Sequence, residues 1–141
     1  LKKSRNPLST LFYKLSIADE KEINIIANEV NLTESLSILA GQLSHGQKQW
    51  LEIGMLLAQK PDLLLIDEPA AGMTAPERKK TVELLKRLSQ NQSVIVVEHD
   101  MEFVKSLECR VTVLHDGGVI AEGSLDYVSQ NDKVIDVYLG R

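Results

Sequence analysis

The stretch from Leu43 to Glu68 constrains this chain more than any other. It opens with Leu43-Ser44-His45-Gly46-Gln47, crosses one helical segment and ends in Leu63-Leu64-Leu65-Ile66-Asp67-Glu68. Ser44 suits an N-cap, Gly46 lets a backbone approach a ligand closely, and first-turn amides of a helix have no intrahelical partner. The opening therefore reads as a phosphate-touching loop at a helix N-terminus. The closing piece is an apolar run with two carboxylates at its C-terminal end, the edge at which open α/β sheets bind ligands.

The rest of the chain supplies elements around this stretch. Ile23, Ile26, Ala27 and Val30 recur at i, i+3, i+4 and i+7, one face of a helix. Leu32-Thr33-Glu34-Ser35 breaks that pattern, and Leu36-Ser37-Ile38-Leu39 predicts another short helix before Gly41. Upstream, Leu8–Leu15 allows a short amphipathic helix or a surface loop. The helix opened by Ser44 carries Trp50, Leu51, Ile53, Met55, Leu56 and Leu57 and must stop before Pro61. Near all-round apolarity over its second half predicts burial. Leu63–Ile66 lacks alternation, which predicts a strand covered on both faces.

Thr74-Ala75-Pro76-Glu77 is a capping box with proline in the first turn, opening a helix that carries Val82, Leu84, Leu85 and Leu88. Ser93–Val97 predicts a second buried strand, followed by Glu98-His99-Asp100. Asp100 is expected to cap a short helix holding Phe103, Val104 and Leu107. Arg110–Leu114 and Val119–Ala121, joined through His115-Asp116-Gly117-Gly118, predict an antiparallel hairpin. Ser124–Gln130 and Asp132–Leu139 read as closing helices. Strands alternating with helices predict an α/β fold with a largely parallel sheet.

Composition narrows the function classes. At 141 residues the chain can bury one real core, and its 43% hydrophobic and 26% charged content is ordinary for a globular protein. The net charge of −4, with no basic stripe beyond Lys2, Lys3 and Arg5, argues against nucleic acid as a partner. No apolar run reaches the ~18 residues of a membrane span. Cys109 is the one cysteine, which excludes an internal disulfide and fits a reducing compartment. The chain starts at Leu1 rather than Met, compatible with a processed product or an excised piece.

Adjacent carboxylates after a hydrophobic strand can divide the work of nucleotide hydrolysis. Asp67 would orient Mg²⁺ through water, and Glu68 would polarise the attacking water. The competing reading is a turn that merely ends a strand. His99, just beyond the second strand, could emerge on the same sheet edge as Glu68 and donate to a γ-phosphate oxygen. His45 and His115 lack metal-ligand spacing and are assigned to no metal. Gly41 and Gly46 have the glycine spacing of a Walker A loop, but Lys48 falls one place late, no Ser or Thr follows it, and a helical segment replaces the preceding strand. That match is rejected, and the chain is read as having no P-loop.

Leu43–Gln47 and Leu63–Glu68 together resemble the signature loop and Walker B strand of an ATP-binding-cassette (ABC) ATPase, with Ala71–Thr74 as the D-loop and His99 as the switch histidine. The resemblance covers essentially the whole chain as the C-terminal portion of such a subunit. It implies a P-loop NTPase fold, with residues 1–43 belonging to the helical subdomain that docks on a transmembrane permease and residues 44–141 to the catalytic core. It implies ATP and Mg²⁺ as ligands and a second ATPase subunit as dimer partner. In such a dimer Ser44, His45, Gly46 and Gln47 would form the cofactor-binding loop, Ser44 and Gly46 meeting the γ-phosphate held by the P-loop of the opposite subunit. Asp67 would serve the metal, and Glu68 and His99 would be catalytic on the subunit's own ATP. The P-loop and glutamine loop would lie upstream of Leu1, so this chain alone is expected to be inactive. A cytoplasmic location, peripheral on the inner face of the plasma membrane, is implied in the same way.

Within the family, Glu68–Met73 is similar to the ATPases of branched-chain amino-acid and amide importers. The run from Leu43 to Leu57, Val97-Glu98-His99-Asp100-Met101 and the ending Val137-Tyr138-Leu139-Gly140-Arg141 resemble most the urea-importer type. Two positions depart from the family pattern: His45 replaces the second signature glycine, and Thr74 stands where the D-loop usually has Asp or Asn. The rival readings are a non-transport ABC ATPase and a non-catalytic truncated module that binds the permease or a partner subunit.

Overall fold

The computed structural model describes residues 15–139. The helix considered over Leu8–Leu15 lies almost wholly outside them. The chain divides into two units, Leu1–Val97 and Glu98–Arg141.

In the first unit, Ser16 caps α1 (Ile17–Glu29), its hydroxyl accepting from the Asp19 amide at 3.2 Å. The predicted stripe holds, with Ala27 and Val30 buried and Ile23 and Ile26 half-buried. Two 3₁₀ turns follow, Thr33–Ser35 and Ala40–Gln42. The helix expected over Leu36–Leu39 does not form. One helical turn costs more in backbone entropy than its single hydrogen bond returns, and the Ser35 hydroxyl that precedes the segment accepts from the Gln47 side chain at 3.1 Å.

Helix α2 runs over His45–Leu57, β1 over Leu63–Asp67, α3 over Ala75–Leu88 and β2 over Ser93–Val97. β1 and β2 pair in parallel, with Leu65 opposite Ile95 and Asp67 opposite Val97. Three expectations of burial fail, one of them at β2, where no residue is buried and Ile95 and Val97 are 50% and 52% exposed. β1 alternates instead of being covered on both faces: Leu64 is 1% exposed, whereas Leu65 is 64% exposed. On α2, Trp50 and Ile53 are buried, but Met55 is 62% exposed. In β1 and α2 one face packs within the unit and the other faces outward with apolar residues on it, Leu63 and Leu65 on β1 and Met55 and Leu56 on α2. The core side gathers Val30, Trp50, Ile53, Leu64, Leu84 and Leu88.

In the second unit, Asp100 caps α4 (Met101–Leu107), its carboxylate accepting from the Glu102 and Phe103 amides at 3.0 and 3.1 Å. Phe103 is buried on that helix. β3 (Val111–His115) and β4 (Gly118–Gly123) form the predicted antiparallel hairpin. Asp116 and Gly117 turn it with φ of 46° and 75°, the left-handed pair that a two-residue primed turn needs. The first closing helix is shorter than expected, α5 spanning Leu125–Val128, whereas the second keeps its predicted span as α6 (Asp132–Val134) running into a π-helical turn over Ile135–Leu139. Ala121, Val128 and Val134 form this unit's core. Among the described residues the strands thus make one parallel and one antiparallel pair, within an α/β fold.

Candidate functional site

The loop that opens α2 is fixed locally before anything distant touches it. Ser44 Oγ accepts from the Gln47 amide at 3.2 Å, and Gln47 Oε1 accepts from the Ser44 amide at 2.9 Å. This reciprocal box satisfies two donors that a helix start leaves open. The Gln47 side-chain amide also donates to Ser35 Oγ at 3.1 Å, tying the loop to the first 3₁₀ turn.

A second element then closes on the loop. Glu77, in the first turn of α3, accepts from the Thr74 amide and hydroxyl on Oε2 at 2.9 and 2.7 Å. Its other oxygen, Oε1, accepts from Ser44 Oγ at 2.9 Å. The Thr74 backbone amide, then the Thr74 and Ser44 hydroxyls, hold the Glu77 carboxyl below the ordinary glutamate range. Gly46 is buried beneath this contact, and a Cβ there would stand 2.7 Å from the Glu77 carboxyl group. Only glycine permits that approach without displacing Glu77.

His45 reaches the same turn from the other side. Gly72 sits at φ +65°, and a Cβ on it would lie 3.1 Å from His45 Cδ2. The imidazole therefore lies against the backbone of the Ala71–Thr74 turn. One layer down, the buried Trp50 indole donates to Thr81 Oγ1 at 2.8 Å. Thr81, 0% exposed, lies 3.1 Å from Met73 Sδ and 3.0 Å from the Glu77 carbonyl. The 44–47 loop and the 71–77 turn are thus joined at both the surface and the core. Sequence reading missed this joint, because Glu77 was seen only as the local partner of Thr74.

Asp67 ends β1, and Glu68 follows it, both exposed. Glu68 has φ of 46°, a left-handed backbone that costs a non-glycine residue on the order of 1 kcal/mol. Its amide donates to the Val97 carbonyl at 2.9 Å, and its own carbonyl accepts from Ala71 at 3.1 Å. The end of β2 and the following turn hold the strained residue from both sides. Among the described residues no group of three or more His, Cys, Asp or Glu could hold a metal ion. Mg²⁺ does not need one, since it keeps several waters and takes one or two carboxylates plus substrate phosphates. Asp67 fits that donor set.

His99 belongs to the second unit and is exposed. Its amide donates to Glu98 Oε2 at 3.1 Å, as does that of Asp100 at 3.3 Å, so Glu98 organises the turn that leads into α4.

Known proteins are similar to this chain. The family described as ABC transporter matches residues 2–71. The chain is 38% identical over 114 residues to the high-affinity branched-chain amino acid transport ATP-binding protein BraF of Pseudomonas aeruginosa, covering 79% of this chain and 45% of that protein. It is 34% identical over 113 residues to LivG of Escherichia coli, of the same description, covering 79% and 44%. A nucleotide-free ATP-binding cassette from an ABC transporter superposes with a TM-score of 0.81 at 26% identity, over 99% of this chain and 58% of that one. The chain spans about half the length of the curated relatives it matches. With a family match running through both the Ser44 loop and Glu68, relatives aligned over most of the chain and the fold of an ATP-binding cassette, the chain belongs to the ABC transporter ATP-binding family.

Proposed function

We propose that the whole protein to which this chain belongs is the ATP-hydrolysing subunit of an ABC importer for amino acids or a related small amide. The observation that carries the hydrolytic reading is Glu68: an exposed carboxylate on a strained left-handed backbone, directly after Asp67 at the C-terminal end of a parallel strand. Strain that surrounding contacts maintain is a recurrent property of reacting positions.

In this reading Glu68 polarises a water that attacks the γ-phosphorus, the bond to the ADP oxygen breaks, and ADP and phosphate leave. His99 donates to a γ-phosphate oxygen, and Asp67 would hold Mg²⁺. When bound, Mg²⁺ neutralises charge on the phosphate oxygens. Ser44, His45, Gly46 and Gln47 contact the nucleotide of a second subunit across a dimer. Residues 1–43 belong to the part that docks on a transmembrane permease, and residues 44–141 to the catalytic core. The protein works on the cytoplasmic face of the membrane, and no helix among the described residues is long and apolar enough to cross it.

The cargo class rests on likeness. BraF and LivG are branched-chain amino acid transport proteins by description, and the Leu43–Leu57 run is similar to the urea-importer type. The coarser proposal is an importer of amino acids or small amides, and urea is the finer one.

ATP turnover of the whole protein, wild type against Glu68→Gln, tests the mechanism. Mg²⁺-dependent hydrolysis that falls at least about 100-fold in the variant is the expected result. Unchanged turnover would sink the role of Glu68. Calorimetric titration of the 141-residue chain with millimolar Mg-ATP is expected to give no saturable heat. Saturable binding would show a nucleotide site complete without a P-loop.

A further inference from the structure

We propose that Glu77 is a positioning residue that makes the Ser44 loop and the Ala71–Thr74 turn respond as one body. The inference deepens the proposed function, since it rests on Ser44 being a phosphate contact.

The geometry is a carboxylate with its two oxygens assigned to two different elements. Oε2 takes both donors of Thr74, and Oε1 takes the hydroxyl of Ser44, 33 residues away in sequence. A serine hydroxyl has one proton to give. While Ser44 gives it to Glu77, it cannot give it to a phosphate oxygen. A phosphate that recruits this proton must take it from Glu77, which then keeps only Thr74. The rearrangement at Ser44 is thereby felt at Thr74, and the same turn meets the strained backbone of Glu68 through the Ala71 amide on the Glu68 carbonyl.

Two further close approaches lie at the same joint. Gly46 leaves no room between the loop and the Glu77 carboxyl, and the His45 ring lies against Gly72. Beneath them, Trp50 and Thr81 hold α2 to α3. An interaction confined to a capping box would need none of these. Ordinary N3 glutamates serve only their own N-cap, so the second oxygen is the distinguishing feature.

The test is an exchange and turnover experiment on the whole protein. Hydrogen exchange at the Thr74 amide is measured in wild type, Ser44→Ala, Glu77→Gln and the double variant. The glutamine variant keeps the side-chain shape and avoids the risk that Glu77→Ala unfolds the helix start. Exchange at Thr74 is expected to rise about fivefold in Ser44→Ala and further in Glu77→Gln, with Ser44→Ala adding nothing once Glu77 is replaced. Thr74 exchange indifferent to Ser44→Ala would overturn the coupling. In parallel, Glu77→Gln is expected to lower kcat about tenfold at unchanged KM. Unchanged kcat alongside altered exchange would confine Glu77 to a structural role and overturn the positioning claim. Wild-type turnover in Ser44→Ala would instead remove the underlying assignment of Ser44, with the exchange result still standing.

Discussion

The Trp50 indole donates to the Thr81 hydroxyl at 2.8 Å, and both side chains are buried, at 4% and 0% exposure. This bond joins α2 to α3 through a polar pair in an otherwise apolar layer. Thr81→Val keeps the shape but leaves the indole N–H without its acceptor. The expected loss is about 1–3 kcal/mol of unfolding free energy, measured by urea denaturation. Thr81→Ser, which restores the acceptor, should recover most of it.

Gly72 presents two separable obstacles to a side chain. Its φ of +65° disfavours any L-residue, and a Cβ would press on the His45 ring at 3.1 Å. Gly72→Ala is expected to cost about 1 kcal/mol or more. Adding His45→Ala should return part of that loss, because it frees the space but not the backbone. Full recovery in the double variant would mean that the ring contact was the whole cost.

Glu77 links the site to pH. Its carboxyl is lowered in the folded state, chiefly by the Thr74 amide. A depressed folded value contributes stability that is fully present above the ordinary carboxylate value of about 4.3 and is lost as pH falls through the lowered one. The stability gap between wild type and Glu77→Gln should therefore be widest near neutrality and close below about pH 4. A gap that persists unchanged at pH 3 would show that the ionised carboxylate is not what holds Thr74 and Ser44.

Leu64 and Leu65 are neighbours with opposite environments, at 1% and 64% exposure. Leu64→Ala in this chain should cost about 2–5 kcal/mol by opening a cavity. Leu65→Ala should cost about 0.5 kcal/mol. Equal losses would mean that the outer face of β1 is covered after all.

Much of the architecture was legible because its signals are local. The caps at Ser44, Thr74 and Asp100 each place an acceptor beside orphan amides, and all three open helices. Ser93–Val97 as a strand, though not its burial, and the Asp116-Gly117 turn were equally explicit. What failed shares a physical cause: the signal was the same for both outcomes. An unbroken run such as Leu63–Ile66 reads identically whether its second face is covered or bare. Leu36–Leu39 has helical spacing but is too short to offset nucleation. Of the candidate site, the reach of Glu77 to Ser44 could not be seen, since nothing in a capping box reveals what its other oxygen meets across 33 residues.

The pairing of β1 with β2 has a consequence for how the chain behaves in bulk. Leu65 stands directly across from Ile95, flanked by Leu63 and Val97, and all four are half or more exposed on one face. Each strand also has only one paired side among the described residues. An apolar ribbon with two open margins is a colloidal liability, because another ribbon can stack on its face or zip along its edge. Adhesion of that kind is driven by water rather than by charge, so salting the solution would strengthen it, sulfate most of all. The purification behaviour of this chain is thus written in the same two strands that carry Asp67 to the end of the sheet.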